Sequence, residues 1–374
     1  MDSFLLIGSA GSVGHDMMYI IASKYSDIRV IGADVNEEKG RFEVEEALHV
    51  AHNMGSYPDL SFRKIDLFDI PGTAELLKEV RPSVVCNLSS LGSWWITRLL
   101  PMDVYRKISP IGPWLPNHLT LAHKLMEAVK RSGIETQVVN GAFPDLTNVV
   151  LSKVGLEPAC GGGNMDLACS RIKRIVAREM GVPYRSVTVY GVGHHGSYYT
   201  AGLEGPYCLK IMVDGEDVSQ RFPNEKVTRI YNEAGYAAKV QYTGPLVDQM
   251  RTAASFLKHV LAIYFDTGEV CSCVAGPQGL PGAYPARLSA EGAEVVLPGL
   301  SLEEAVAINR AGARLDGIEK VKGDGTVVFV EENVELMREV VGYECEELKV
   351  SESEERAREL NAKLRKLYEK YKVS

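Results

Sequence analysis

The first thirty-four residues constrain this chain more than any other stretch. Phe4-Leu5-Leu6-Ile7 is a short apolar run, and Gly8-Ser9-Ala10-Gly11-Ser12-Val13-Gly14 is a glycine-spaced turn. Asp16 to Lys24 is helix-like, and Arg29-Val30-Ile31-Gly32-Ala33 is a second apolar run ending on Asp34. The order is strand, turn, helix, strand, acid. Glycines let the backbone turn tightly and approach a pyrophosphate, whose charge is favoured at a helix N-terminus. Asp34 lies twenty residues after Gly14, where a carboxylate can take the hydroxyls of an adenosine ribose. The pattern predicts a dinucleotide cradle of Gly8, Ala10, Gly11, Ser12, Val13 and Gly14, with Asp34 on the ribose. Asp34 would repel a 2′-phosphate and no Arg follows it directly, so the expected cofactor is NAD rather than NADP.

The alternation continues. Ser61 to Leu67, Ser83 to Leu88 and Thr136 to Asn140 read as strands, separated by helix-like stretches through Ala51, Thr73 to Val80 and Asn117 to Ser132. Such alternation implies right-handed crossovers and a parallel, Rossmann-type sheet. Ligands bind at the carboxyl ends of such strands, so Asn87, Ser89 and Asn140 are expected to face the cofactor. Between them, Leu91 to Pro116 breaks the pattern and carries Trp94, Trp95 and Trp114 with Arg98 and Arg106. A loop of that length inside a compact domain is a candidate substrate lid or an interface.

A chain of 374 residues is long enough for two domains. The expected division is a dinucleotide-binding domain over 1–150, an α+β substrate domain over 151–345 and a C-terminal helix over 346–374. The net charge of −8 argues against a nucleic-acid partner, and no apolar run has the length of a membrane span. The chain enters its first strand with no leader pattern. Its seven cysteines are odd in number and scattered, which points to a reducing cytoplasm rather than a disulfide framework. Cys271-Ser272-Cys273 lacks the second pair that a zinc site needs.

In the second half, Asn164 is placed to cap a helix from about Met165 to Met180 that carries Asp166, Arg171 and Arg174. Ser186 to Tyr190 reads as a strand that delivers Gly191-Val192-Gly193-His194-His195-Gly196. Histidines between glycines at a strand end suit proton transfer, because imidazole titrates near neutral pH and the glycines leave room for a substrate.

These features together resemble the lactate/malate dehydrogenase superfamily over roughly residues 1 to 320. The likeness rests on the glycine turn with Asp34, on Asn140 through Asp145, on Arg171 through Val182 and on Gly193 to Gly196. It implies an NAD-dependent oxidoreductase that moves a hydride between nicotinamide and a secondary alcohol, with a 2-hydroxy acid as the expected substrate. It further implies His195 as acid/base, Arg171 as the clamp on an anionic substrate, Asn140 near nicotinamide and substrate, and assembly as a homodimer or homotetramer. The family's aspartate lies three residues before the arginine, where this chain has Ala168. The nearest acid is Asp166, about 200° away around a helix, so it orients His195 only if the helix starts after it.

A related branch, glycoside hydrolase family 4, is similar in the segment after the histidines. It implies NAD plus a divalent metal, with Cys160, Asp166 or Cys169 joining His194 or His195, and tryptophans stacked on a sugar. The family's Cys-Asn motif and Asn-His pair are absent here. A third reading, of another class, is a non-catalytic NAD(H)-binding sensor. Towards the C-terminus, Lys258 and His259 read as solvated positions on a long helix from Gly244. Ser351 and Glu354 suggest a capping box. Ala357, Leu360, Leu364, Leu367 and Tyr371 form an apolar stripe that docks the last helix on its own domain or on a second subunit.

Overall fold

The computed structural model describes residues 3–92, 97, 99–199, 202–233, 249–297 and 299–371. The first half is built from β1 (Ser3–Ile7), α1 (Ser12–Lys24), β2 (Arg29–Asp34), α2 (Glu37–Asn53), β3 (Asp59–Lys64), α3 (Ile70–Val80) and β4 (Val84–Asn87). α4 (Met102–Ile108), α5 (Leu115–Ser132), β5 (Gln137–Asn140), α6 (Pro144–Lys153) and the two-residue β6 (Cys160–Gly161) complete it. The six strands are parallel in the order β6-β5-β4-β1-β2-β3. This is the strand order of a dinucleotide-binding fold. Runs such as Phe4-Leu5-Leu6-Ile7 are buried on both faces, as helices above and below a parallel sheet require.

The second half contains α7 (Met165–Met180), β7 (Val187–Gly193), β8 (Tyr198–Tyr199), β9 (Gly202–Leu203), β10 (Tyr207–Val213), β11 (Glu216–Asp217) and α8 (Asn224–Glu233). It continues with α9 (Gln249–Tyr264), β12 (Val270–Ala275), β13 (Ala283–Ser289), β14 (Gly292–Val295), α10 (Leu302–Leu315) and β15 (Ile318–Val321). β16 (Val327–Phe329), α11 (Glu331–Val341), β17 (Glu347–Leu348) and α12 (Ser353–Tyr371) close the chain. The fold is thus α/β, a Rossmann-type parallel sheet followed by an α+β half. Among the described residues the two halves share one sheet of twelve strands, because β12 pairs antiparallel with β6 through Ala275 and Gly161. Beyond β12 run β13, β7, β10 and β11, with β14 on the flank of β13.

Local chemistry sets the turns. The β10–β11 hairpin turns on Asp214 and Gly215, both at positive φ (49° and 87°), the conformation that an Asp-Gly pair adopts readily. Ser301 caps α10 in a reciprocal box with Glu304. The capping box expected at Ser351 does not form: a 3₁₀ turn occupies Val350–Glu352 and α12 starts at Ser353. Glu354 instead pairs with Lys124 on α5 at 2.9 Å. The apolar stripe of α12 is buried against the first half: Ala357 is fully covered, and Leu360, Leu364 and Leu367 join the cluster that also holds Leu125 of α5. None of the helices among the described residues is long and apolar enough to cross a membrane.

Candidate active site

At the carboxyl edge of the parallel strands, Gly8 has φ +83°, and a Cβ there would lie 2.9 Å from the carbonyl carbon of Leu88. A Cβ on Gly14 would come within 2.3 Å of the Gly8 carbonyl oxygen, so α1 can rest on the turn only with glycine at this position. Gly11 is the N-cap of α1 and supplies no side-chain bond. The first amides of α1, at Ser12, Val13 and Gly14, are therefore left to an external acceptor. The buried Ser9 hydroxyl also has no partner among the described residues. Asp34 ends β2, and its carboxylate accepts the Ala10 N–H at 3.1 Å and the Asn36 N–H at 2.9 Å. A glycine cradle, uncapped amides, an orphaned hydroxyl and an oriented carboxylate fit a dinucleotide without rearrangement.

Asn87 and Asn140 end β4 and β5 side by side, both buried. Asn87 donates to Asn140 Oδ1 at 3.0 Å and accepts from the Ser89 hydroxyl at 2.6 Å. Asn140 donates to Thr147 and Asn148 at 2.8 and 2.9 Å and accepts from the Ala142 N–H. These amides hold the strand ends together, and Asn140 has its donors committed inside the protein.

His194 and His195 follow β7. The imidazole Nδ1 of His195 lies 2.9 Å from Asp316 Oδ2 and 3.1 Å from Oδ1. Nδ1 of His194 lies 3.1 Å from the same carboxylate and 3.2 Å from the Gly196 N–H. One ring nitrogen cannot donate to the first and accept from the second, so the His194 tautomer selects between them. Asp316 is the C-cap of α10, and α10 packs on the turn that holds His195. Its own carbonyl accepts the Gly112 N–H at 2.8 Å. A second buried acid, Asp145 at the start of α6, accepts the His195 backbone N–H at 2.9 Å and bonds the side chain of Asn164. Two backbones are strained here: Phe143 (φ 50°) and Asn164 (φ 53°). Non-glycine residues hold such conformations only where their surroundings enforce them. The Phe143 ring sits edge-on to His118, His194 and His195.

Electrostatics separates the histidines. Burial disfavours charge on His195, but the Asp316 charge and hydrogen bond, with Asp145 beyond, outweigh it and raise its pKa above the ordinary value. Burial likewise opposes charge on Asp316, yet the two imidazoles hold its carboxyl well below the usual carboxylate range. His118, on α5, is pushed down to about 4 by burial and by the neighbouring His195, so it is neutral at physiological pH.

A cavity of about 360 Å³ opens beside these groups. His195 and His118 line it together with Leu91 and Gly92 after β4, Trp114 before α5, and Arg365 and Tyr368 of α12. Of the two histidines of the pair, His194 is 1 % exposed and His195 is 14 % exposed, and His195 is the one on the cavity wall.

Several expected partners sit elsewhere. Asp166 does not orient His195: α7 starts at Met165, and this turns the Asp166 carboxylate to α9. There it takes Lys258 Nζ at 2.7 Å and the Ser255 hydroxyl at 2.6 Å. Arg171 is not on the cavity wall. Its guanidinium donates to the Tyr231 carbonyl at 2.9 Å and stacks 4.2 Å from that ring's centre. Lys258 is thus ion-paired, and His259 is fully buried with Nδ1 3.0 Å from the Gly161 carbonyl oxygen, so neither is a simple solvated residue. Asn164 is the N-cap of α7 but makes no capping bond, because its side chain goes to Asp145. Cys160 and Cys169 are buried thiols. Among the described residues no group of three or more His, Cys, Asp or Glu has a metal-holding arrangement. Trp94, Trp95 and Arg98 lie outside the described residues.

The architecture defines a class first: a dinucleotide fold joined to an α+β half that carries a strand-end histidine. It is the fold of the lactate and malate dehydrogenases. Lactate dehydrogenase MGS-M5 from a Medee basin deep-sea metagenome library superposes with TM-score 0.59 at 15% identity, over 84% of this chain and 96% of that one. Lactate dehydrogenase from Eimeria maxima, solved with NADH and oxamate, gives 0.60 at 16% over 83% and 91%. Malate dehydrogenase from Plasmodium falciparum gives 0.58 at 15% over 84% and 98%. No family model and no curated protein matches the sequence itself.

Proposed function

We propose that this protein is an NAD-dependent oxidoreductase acting on a secondary alcohol or the corresponding ketone, with a 2-hydroxy acid as substrate. The observation that carries the reading is the pair of part-buried His195 and buried Asp316, set beside the carboxyl edge of a dinucleotide fold. The glycine turn and Asp34 would hold NAD, which supplies the redox chemistry when bound. His195 takes the hydroxyl proton as the alcohol is oxidised and returns it on reduction. Asp316 engages Nδ1, so the proton exchanges at Nε2. The imidazolium formed is stabilised by the adjacent carboxylate. His194, sealed from the cavity, supports Asp316 rather than the substrate. The solved Eimeria relative contains NADH and oxamate, which supports NAD and a small anion as ligands. Seven unpaired thiols suit a reducing cytoplasm, and we read the assembly as a homodimer or homotetramer.

The test is oxidation of a panel of 2-hydroxy acids with NAD, followed at nicotinamide absorbance, for the native protein and His195→Asn. Turnover by the native protein, its loss in the variant and unchanged NAD affinity are expected. Full activity in the variant removes His195 from the mechanism. NAD binding without turnover of any alcohol returns the protein to the sensor class.

A further inference from the structure

The C-terminal helix is more than a strap. α12 docks on α5, where Asn361 and Asn117 exchange a reciprocal pair of side-chain hydrogen bonds at 2.8 and 3.2 Å. This fixes the next turn of α12, Leu364, Arg365 and Tyr368, on the wall of the cavity that His195 also lines. Arg365 is exposed, and among the described residues its guanidinium makes no ion pair. It is the one guanidinium on the described cavity wall. Trp114, Leu364 and Tyr368 make the space between it and the histidines largely apolar. His118 is the second, independent sign of a ligand. It is more than nine-tenths buried, lines the cavity, and among the described residues its ring makes no hydrogen bond. Its ring nitrogens are not sealed among protein atoms but open to the cavity, so they can hydrogen-bond an oxygen of a molecule bound there.

We infer that the substrate is a carboxylate or other small anion with a bulky apolar or aromatic group, bound with its charge at Arg365 and an oxygen at His118. In this assignment Arg365 sets affinity for the anion. His118 is a neutral hydrogen-bonding partner to a substrate oxygen beside His195. The apolar wall selects the substituent. The volume, about 360 Å³, lies within the range of roughly 300–1,000 Å³ usual for small-molecule sites. The inference deepens the proposed oxidoreductase function and rests on it for what happens at His195, whereas the binding it requires can be measured without turnover.

The experiment is calorimetric titration of the full-length, NAD-loaded protein, whose oxidised cofactor cannot reduce the ligands, with phenylpyruvate and with pyruvate, two carboxylates that differ by a phenyl ring. Phenylpyruvate should bind at least tenfold more tightly, the order expected for burying an aromatic ring. Arg365→Gln should weaken phenylpyruvate binding roughly tenfold or more, as loss of a charge-assisted contact does, and Arg365→Lys should recover part of it. Arg365 is solvent-exposed, so neither change threatens folding. His118→Leu should weaken binding with an unchanged far-UV circular dichroism spectrum. No binding by the native protein at millimolar ligand, equal affinity for the two acids, or unchanged affinity in Arg365→Gln overturns the assignment. Binding as expected, with no oxidation of NADH when the same acids are mixed separately with the NADH-loaded protein, leaves the assignment standing and overturns the oxidoreductase reading instead.

Discussion

His259 makes a quantitative prediction about acid stability. It lies in α9, fully buried, with Nδ1 on the Gly161 carbonyl and Nε2 without a partner among the described residues. Burial and then the Lys258 charge lower its pKa, Asp166 and the Gly161 hydrogen bond oppose them, and the balance is a fall from 6.5 to about 4. The sign follows from linkage. Above the unfolded value both states are neutral and the histidine contributes nothing to pH dependence. Below it the unfolded chain takes up a proton that the folded chain refuses, so stability falls until the folded value is reached. A shift of that size is worth about 3 kcal/mol in full, and most of it should be gone by about pH 4.5.

His259→Gln keeps a donor for the Gly161 carbonyl and removes the titration. Urea unfolding of both proteins at about pH 7.5 and pH 4.5, followed by circular dichroism, is the assay. The native protein should lose roughly 2–3 kcal/mol more than the variant across that interval. His118, whose pKa is also pushed down to about 4, His123, also lowered, and His195 contribute to both proteins and cancel in the difference. Asp166 and Asp316 are held below the ordinary carboxylate value of 3.8, so their stabilising contributions are lost below this interval. Equal losses in the two proteins would refute the claim that His259 is buried neutral.

Three further outcomes test the site. Asp316→Asn should lower kcat/KM by about 10²–10⁴. Because Asp316 raises the His195 pKa, the limb of the pH–rate profile for alcohol oxidation should also move to lower pH, as steady-state kinetics would show. Asp316→Ala leaves two buried histidines without their acid and should cost about 3–5 kcal/mol in urea unfolding. Gly14→Val should abolish NADH binding, measured by fluorescence titration, because its side chain would collide with the Gly8 carbonyl.

The dinucleotide half was legible from the sequence because its signals are local. Apolar runs of four or five residues end in glycine, asparagine or aspartate, and the strands β1, β2, β4 and β5 follow them. β6 was not legible, since two residues carry no period, yet it joins the halves. The partner of His195 was hidden for a different reason: Asp316 lies 121 positions away and reaches the ring only when α10 packs on the turn after β7. Arg171 has the spacing of the family's clamp, but Tyr231 claims its guanidinium. Likewise Asp166 fits by proximity in sequence and fails by direction, because α7 begins one residue before it. His118 lies on α5 with nothing in its neighbouring sequence to mark it. Packing of α12 beside α5 supplies part of the wall of the cavity that it lines.

The unbroken sheet has a mechanical consequence. Proteins that clamp down on a ligand by swinging one lobe against another need a seam free of main-chain bonding. Here the pairing of Gly161 with Ala275 stitches the lobes together, and Asp145 of the first lobe grips the His195 backbone of the second. Swinging the lobes apart would tear both attachments and carry the imidazole away from its neighbours. Entry to the cavity therefore falls to pieces outside the sheet, among the described residues the terminal helix, while the proton-handling groups stay on a fixed frame.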